Sequence, residues 1–389
     1  MVLSSHRSRR QHLHGEEGGD GGLSLSRRNI ENEVSGTSSR KEAWTKTFYK
    51  WLITIDGDVD ISSDRGYRRI PEVTNYAFFC GGRLRTVKHT RHLSVLVGML
   101  IAAPMVLFSV FEANELWNTA YGYKPMVFFF YYFWAMGFSF FIRTATSDPG
   151  VLPKNIHLSQ GSNPGQIPQE YRNIIHLPTP DTEKNPNSKI ELKYCVACRI
   201  WRPPRASHCS TCGVCVEVHD HHCIWVNNCI GKRNYRYFII FISGLVLAAV
   251  FLIANTIIHI SRHNGRASEI PVTILLLTYG TVFIWYPVIL LLYHIAMAGT
   301  QQTTREFLKR VEMTNPVFAK ITTNEDNPFD TGSFLRNLGG LMLQCRGLSY
   351  VNTREKNEPG DWRYIKVPQP HTFERVNFST TLYPPPLPA

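Results

Sequence analysis

The run Asp220-His221-His222-Cys223 carries the groups that an activated thiol requires. A free cysteine is mostly protonated at neutral pH, and the thiolate is the nucleophile. A neighbouring imidazole can take the proton of the thiol, and a carboxylate can orient and polarise that imidazole. The run therefore predicts nucleophilic catalysis by Cys223, assisted by His221 and Asp220. On residue types alone, His221 and Cys223 could instead be metal ligands or packing residues.

The same run lies in a segment that is dense in metal-binding side chains. Seven of the nine cysteines fall between Cys195 and Cys229, together with four histidines, which gives eleven possible ligands. Two-residue gaps such as Cys195–Cys198 let both thiolates bind one ion, and structural zinc takes four Cys or His ligands. Two closed zinc sites need eight ligands, so three of the eleven remain for another role. The spacing does not say which three, and a purely structural zinc module is an open alternative.

Charge and cysteine usage narrow the class of protein. The formal net charge of +12 over 389 residues suits nucleic acid, anionic lipid or a polyphosphate ligand. An odd number of cysteines interleaved with histidine argues against a secreted disulfide framework and favours a reducing compartment. The N-terminus is polar and basic with no apolar stretch behind it, so we expect no cleavable signal peptide. Nucleic acid is disfavoured because the cysteine-rich segment lies between two apolar runs.

Four apolar runs are each about as long as the ~20 residues that cross a hydrocarbon core. None contains Asp, Glu, Lys or Arg, each of which would cost roughly 2.5–3.5 kcal/mol at mid-bilayer. The runs occupy residues 93–111, 126–142, 237–260 and 271–298. Four buried helices of a soluble protein are the alternative, but such helices rarely stay uncharged all round over this length.

The basic residues predict the orientation of these spans. Lys and Arg number 16 before the first span, 12 between the second and third, and 11 after the fourth. The other two connections hold one and two. Because positive charge accumulates on the cytosolic side, both termini and residues 143–236 are expected in the cytosol.

The predicted architecture is an all-α membrane protein with four transmembrane helices and a cytosolic, zinc-binding, cysteine-rich domain between helices 2 and 3. Residues 1–70 are predicted to be disordered, and 71–92 to form a cytosolic lead-in. Helices 1 and 2 occupy 93–142, the cytosolic segment 143–236 contains the zinc domain at 193–236, and helices 3 and 4 occupy 237–298. A cytosolic C-terminal region covers 299–350, and a proline-rich tail covers 351–389.

The complete cysteine and histidine pattern resembles that of the DHHC family of protein S-acyltransferases. It runs Cys195-x2-Cys198-x9-His208-Cys209-x2-Cys212-x2-Cys215-x4-Asp220-His221-His222-Cys223-x5-Cys229. Three flanking motifs are similar to family motifs as well: Asp148-Pro149-Gly150, Thr303-Thr304-x-Glu306, and Asn327-Pro328-Phe329 through Asn337. The resemblance covers about residues 75–345. One departure is Ile224, where many members have proline, and it bears on the stiffness of that loop.

The resemblance implies a role for each ligand. One structural zinc is assigned to Cys195, Cys198, His208 and Cys215, and a second to Cys209, Cys212, His222 and Cys229. Asp220, His221 and Cys223 then remain for catalysis, and His219 has no assigned role. The implied activity is protein S-palmitoyl transfer from palmitoyl-CoA, through a Cys223 thioester, to cysteines of membrane-associated proteins.

The predicted roles of several other residues are less specific. Arg202 and Arg205 are candidates for the CoA phosphates, with a solvated basic face as the alternative, and Trp225 is expected beside the thioester. Asp148 and Glu306 are expected to be structural, and Thr303, Thr304 and Asn337 to hold the C-terminal region against the zinc domain. Cys80 and Cys345 are either acylated or buried.

The run around Cys223 most resembles a fungal branch of the family and its animal relatives, which act on Ras-type proteins and work with a small accessory subunit. This implies a heterodimer in the endoplasmic reticulum membrane, with the Golgi membrane as the alternative. A non-catalytic, zinc-containing membrane scaffold remains the rival reading. A transporter is a weaker rival, because the spans lack the polar residues that a transport path usually requires.

Overall fold

The computed structural model describes residues 53–54, 74–80, 82–88, 93–118, 123–157, 171, 173–178, 189–313, 327–344, 346–347 and 349–350. The predicted disordered N-terminus lies outside these ranges except for 53–54. Cys345 and the proline-rich tail also lie outside them.

Within the described ranges, four helical segments are long and apolar enough to cross a membrane, which confirms the prediction of four transmembrane helices. They are α1 (Leu93–Phe111), α3 (Lys124–Thr146), α4 (Tyr235–Arg262) and a fourth segment, Pro271–Gly299. The shorter α-helices in these ranges are α2 (Ala113–Asn118), α7 (Thr304–Met313) and α8 (Phe334–Leu343). Large apolar side chains such as Val95, Phe128 and Val282 are exposed on the spans, as contact with lipid requires.

The fourth span consists of two helices, α5 (Pro271–Phe283) and α6 (Trp285–Gly299), which meet at Ile284. The sequence predicted one uninterrupted span here. Pro287 accounts for the break, because it lacks an N–H and its ring clashes with the carbonyl four residues earlier.

Proline also shapes α1, where Pro104 cannot donate to the carbonyl of Leu100. That carbonyl instead accepts a hydrogen bond from the Tyr279 hydroxyl of α5, at 2.9 Å. A backbone carbonyl left without a donor in hydrocarbon would be costly, so the bond both satisfies Leu100 and joins the first span to the fourth.

Spans α3 and α4 bring their backbones into contact at a pair of glycines. A Cβ atom added to Gly244 would lie 2.7 Å from both the Cα and the N of Gly137. Small residues that allow such backbone contact are typical of helix pairs in membranes. This contact fixes the end of α3 relative to the start of α4, and the cysteine-rich domain is inserted between these two points.

The cysteine-rich domain and the segment before α1 are built from very short antiparallel strands. A three-stranded sheet joins β1 (Ile53–Thr54), β2 (Tyr76–Phe79) and β3 (Leu84–Val87). Four hairpins follow: β4–β5 (Ile175–Pro178, Lys189–Leu192), β6–β7 (Tyr194–Cys195, Ile200–Trp201), β8–β9 (Ser207–Cys209, Val214–Val216) and β10–β11 (His221–Cys223, Asn228–Ile230). Isolated hairpins of this size are at best marginally stable in water, so metal binding and packing must hold them.

The predicted lead-in is part of this domain. The Asn75 backbone N–H donates to the Cys212 carbonyl at 3.0 Å, and Tyr76 and Phe78 are fully buried against Val214 and the other residues of one core cluster. Cys80 lies half-buried in the β2–β3 turn.

Candidate active site

In the part of the chain that the structure describes, two groups of three cysteines and one histidine are arranged to hold a metal ion, besides a third group formed by Asp220, His221 and His294. The first contains Cys195, Cys198, His208 and Cys215, and the second Cys209, Cys212, His222 and Cys229. Within each group all ligand atoms lie within 4.8 Å of one another, and all six thiols are buried. Three thiols and one imidazole at these separations fit the tetrahedral ligand set of structural zinc. These are the two sets that the family resemblance implied.

Strand pairing explains how the second group forms. His222 and Cys229 lie opposite each other across the β10–β11 hairpin, and Cys223 lies opposite Asn228. Side chains alternate between the two faces of a strand, so His221 and Cys223 share the face opposite to His222. One hairpin therefore presents a metal ligand on one face and the predicted nucleophile with its base on the other.

The Cys223 thiol lies against the membrane helices. Cys223 is 6% exposed and belongs to a core cluster that contains Ile101, Phe141, Phe238 and Ile242 from three different spans. A long acyl chain attached to this sulfur would begin at the end of the helix bundle that faces the cysteine-rich domain.

The Asp220 carboxylate is bound on both oxygens. Oδ2 lies 2.6 Å from Nδ1 of His221, and Oδ1 accepts the backbone N–H of Thr304 at 2.7 Å. Burial raises the pKa of Asp220, but its hydrogen bond to His221 and the charge of that ring lower the pKa by a larger amount, so it lies below its usual value. Asp220 is therefore an anion at neutral pH.

His221 is held between that carboxylate and Cys223. Burial of the ring lowers its pKa, but the hydrogen bonds to Asp220 and to Cys223 raise it by more, to about 9. At neutral pH the ring is therefore an imidazolium placed between the anionic carboxylate of Asp220 and the side chain of Cys223.

Two residues that the sequence reasoning missed complete this cluster. His294 of α6 is 2% exposed, and its Nδ1 lies 3.0 Å from the hydroxyl of Tyr235, the first residue of α4. Its ring centroid is 5.7 Å from that of His221 and 5.0 Å from that of Phe238. A histidine inside an apolar span is a signal that could have found it, because such residues are costly in hydrocarbon and usually functional.

The Thr303-Thr304-x-Glu306 motif forms the start of α7. The Thr303 backbone N–H donates to Glu306 Oε2 at 2.9 Å, and the Glu306 N–H donates to Thr303 Oγ1 at 3.1 Å. This is a reciprocal capping box, which satisfies two backbone donors at a helix N-terminus. The box places the neighbouring Thr304 N–H on Asp220.

The two arginines that the sequence offered for CoA phosphates have different environments. Arg205 donates to both oxygens of Glu306, at 2.9 and 2.8 Å, and its guanidinium lies 4.6 Å from the Phe329 ring centroid. These contacts favour a role for Arg205 in joining the zinc domain to α7. Among the described residues, the Arg202 guanidinium donates through Nε to the Lys193 carbonyl at 3.1 Å. Trp225 is 41% exposed, with its ring 6.2 Å from that of Tyr286.

The other two motifs fasten the domain to the ends of the spans. Asp148, just after α3, accepts the N–H groups of Gly150 and Val151 at 2.9 and 3.0 Å and lies 3.2 Å from Arg233 Nε. Asn337 of α8 donates to the Gly299 carbonyl at 2.8 Å and accepts from Thr331.

Comparison with known proteins matches these features to one family. Residues 188–311 match the family model described as DHHC palmitoyltransferase. The chain is 55% identical over 357 residues to a protein named Palmitoyltransferase ERF2 from Saccharomyces cerevisiae, covering 90% of this chain and 98% of that one. Proteins of the same name from Candida glabrata and Kluyveromyces lactis are 53% and 44% identical, covering 83% and 89% of this chain and 97% and 96% of theirs. The chain belongs to the DHHC palmitoyltransferase family.

Proposed function

We propose that this chain transfers a palmitoyl group from palmitoyl-CoA to Cys223 and then to a cysteine of a membrane-associated protein. The observation that supports this most is the position of Cys223, which shares a hairpin face with His221 and packs against residues of the membrane spans. An acyl chain that leaves water for the bundle gains about 0.8 kcal/mol per CH2 group, which favours long chains.

The first step forms one thioester and breaks another. The Cys223 thiolate attacks the carbonyl carbon of the acyl-CoA, and the CoA sulfur leaves and takes the proton of the His221 imidazolium. Asp220 keeps the ring oriented and stabilises its charged form.

The second step restores the enzyme. Neutral His221 accepts the proton of the substrate cysteine, and the resulting thiolate attacks the Cys223 thioester. Cys223 leaves as a thiolate beside the recharged imidazolium.

The remaining residues have supporting roles in this proposal. The eight Cys and His ligands described above would hold two zinc ions, which would stabilise the hairpins without taking part in the chemistry. Arg202 contacts the CoA phosphates, because a guanidinium pairs well with phosphate. Trp225 covers the thioester at the mouth of the bundle, and the contacts of Arg205 support a structural role for it.

The proposed topology places both termini and residues 143–236 in the cytosol, where acyl-CoA is available, with the zinc domain at 193–236. The resemblance around Cys223 supports a Ras-type substrate and a small accessory subunit in the endoplasmic reticulum membrane. Acylation of Ras-type and unrelated peripheral proteins, with and without the co-expressed subunit, tests both points.

Replacement of Cys223 by serine tests the nucleophile. We expect Cys223→Ser to lose the hydroxylamine-labile acyl adduct, whereas the control Cys80→Ser keeps it, both scored by mass spectrometry of the purified protein. An adduct of unchanged yield on Cys223→Ser would refute the assignment and support the rival, a non-catalytic scaffold.

Zinc content tests the ligand assignment separately. The proposal expects about two zinc ions per chain, by analogy with two closed four-ligand sites. Cys223→Ser should leave this number unchanged, whereas Cys198→Ser should lower it. Loss of zinc from Cys223→Ser would make Cys223 a ligand.

A further inference from the structure

The imidazole of His219 lies beside the second metal group without belonging to it. The residue is 4% exposed, and its Nε2 lies 3.5 Å from the Sγ of Cys229. Its backbone N–H donates to the Arg205 carbonyl at 3.1 Å, which fixes the start of the Asp220-to-Cys223 run. The proposed mechanism gives this ring no role.

The two ring nitrogens of His219 have different surroundings. Nδ1 is buried and has no hydrogen-bond partner in the part of the chain that the structure describes. An N–H at Nδ1 would be a buried donor without an acceptor, at a cost of about 1–3 kcal/mol. An N–H at Nε2 faces the Cys229 sulfur, which can accept it.

The charge of the second metal group, the second centre, gives the Nε2–H of His219 a function. Three thiolates, one Zn²⁺ and one neutral imidazole carry a net charge of −1. The surroundings are apolar, since Cys209, Cys212 and Cys229 share a core cluster with Tyr76, Phe78 and Val216. A negative charge in such a place needs hydrogen-bond donors, and those to an anion are the strong ones.

We propose that His219 donates its Nε2–H to the Cys229 thiolate and thereby strengthens zinc binding at the second centre. It acts as a positioning residue, because Cys229 pairs with His222 across the hairpin whose next pair is Cys223 and Asn228. A zinc ion held more tightly at that pair keeps the neighbouring Cys223 in place.

Two substitutions of similar size isolate the donor. His219→Gln keeps an N–H at the end of the side chain, whereas His219→Met fills the space without one. The full chain, loaded with zinc, is titrated with a chelator, and the released cysteines are alkylated and mapped by mass spectrometry. Outer-shell donors typically contribute 10–100-fold to metal affinity. We therefore expect His219→Met to expose Cys209, Cys212 and Cys229 at 10–100-fold lower chelator concentration than the wild type, and His219→Gln to lie much closer to the wild type.

The first centre serves as the internal control. Cys195, Cys198 and Cys215 should be released at the wild-type chelator concentration in both variants, which reports that the domain is folded. His157→Met is the matched control, because His157 accepts the Trp201 N–H at 3.0 Å and its imidazole is bonded to backbone and to none of the six thiols. We expect no change at either centre for it.

Three results would overturn the proposal. Equal zinc retention in His219→Met and His219→Gln would remove the donor from the explanation. Simultaneous release of all six cysteines in both variants would assign His219 to general packing. Loss of one equivalent of zinc before any chelator is added would make His219 a ligand. Each readout is metal retention, so it is independent of whether the chain transfers palmitate.

Discussion

Replacement of Asp220 by asparagine should slow the loading of Cys223 and make the defect depend on pH. Asparagine keeps an oxygen for the Thr304 N–H, but it removes the negative charge beside His221. The burial that remains favours the neutral ring, so the pKa of His221 should fall from about 9 towards or below its ordinary 6.5. At pH 7 most of the His221 rings then lose the positive charge that faces Cys223.

The pKa sets the size of the effect. The difference between about 9 and 6.5 corresponds to roughly 3.4 kcal/mol in favour of the charged ring. A ring with a pKa of about 9 is almost fully charged at pH 7, whereas a ring with a pKa of 6.5 is charged in roughly one molecule in four, so the loading rate at pH 7 falls about fourfold. Each further unit by which burial lowers the pKa below 6.5 adds up to about another tenfold.

The direction with pH follows from the raised pKa. The stabilisation of the imidazolium by Asp220 is complete below pH 6.5 and is lost as the pH rises through about 9. The rates of wild type and Asp220→Asn should therefore differ most between about pH 6.5 and 9, where the ring is charged in the wild type and neutral in the variant, and should approach each other below that range, where both rings are charged, and above it, where both are neutral.

Single-turnover loading of purified protein with labelled palmitoyl-CoA, from pH 6 to 10, measures this. Asp330→Asn is the control, because that carboxylate accepts a hydrogen bond from Asn337 in the C-terminal region and none from the catalytic residues. An Asp220→Asn rate equal to that of the wild type at pH 7, or a ratio that stays constant up to pH 10, would refute the role given to Asp220.

Three further predictions concern the contacts around the site. Glu306→Ala leaves Arg205 without its bidentate partner and removes the capping box, so the free energy of unfolding should fall by about 2–4 kcal/mol, and a double-mutant cycle with Arg205→Met should show strong coupling. Gly244→Val forces apart two backbones and should lower the Tm in detergent, whereas Gly339→Ala, which meets nothing within 4 Å, should not. Asn228→Ala removes hydrogen bonds to the Thr144 and Ser147 carbonyls at 3.0 and 2.8 Å, so loading of Cys223 should slow at least tenfold with zinc content unchanged.

The transmembrane helices could be predicted from the sequence because their signal is local. Length and absence of charge are properties of one continuous segment, and the observed bounds differ from the predicted ones by a few residues. The break at Ile284 needed one more local observation, the proline at 287. The strands of the cysteine-rich domain gave no such signal, because two to four residues are too few for a period to appear.

The contacts within the site were harder to predict because they join distant parts of the chain. Arg205 and Glu306 are separated by 101 positions, and the sequence around either residue does not indicate the other as its partner. An arginine in a basic, proline-containing run therefore looked available for phosphate. His294 was missed for a related reason, since its proximity to His221 depends on how the fourth span docks against the third.

The position of Thr304 connects the fold to the proposed chemistry. It is the first residue of α7, and the N-terminus of a helix carries partial positive charge. Its N–H and His221 thus stabilise the two oxygens of the Asp220 anion from opposite sides, one from the segment after the fourth span and one from the zinc domain. A carboxylate this buried would otherwise favour protonation and could no longer hold His221 as an imidazolium. The charged state of His221 therefore depends on docking of the zinc domain against the end of the fourth span. Arg205 and Glu306 maintain this contact.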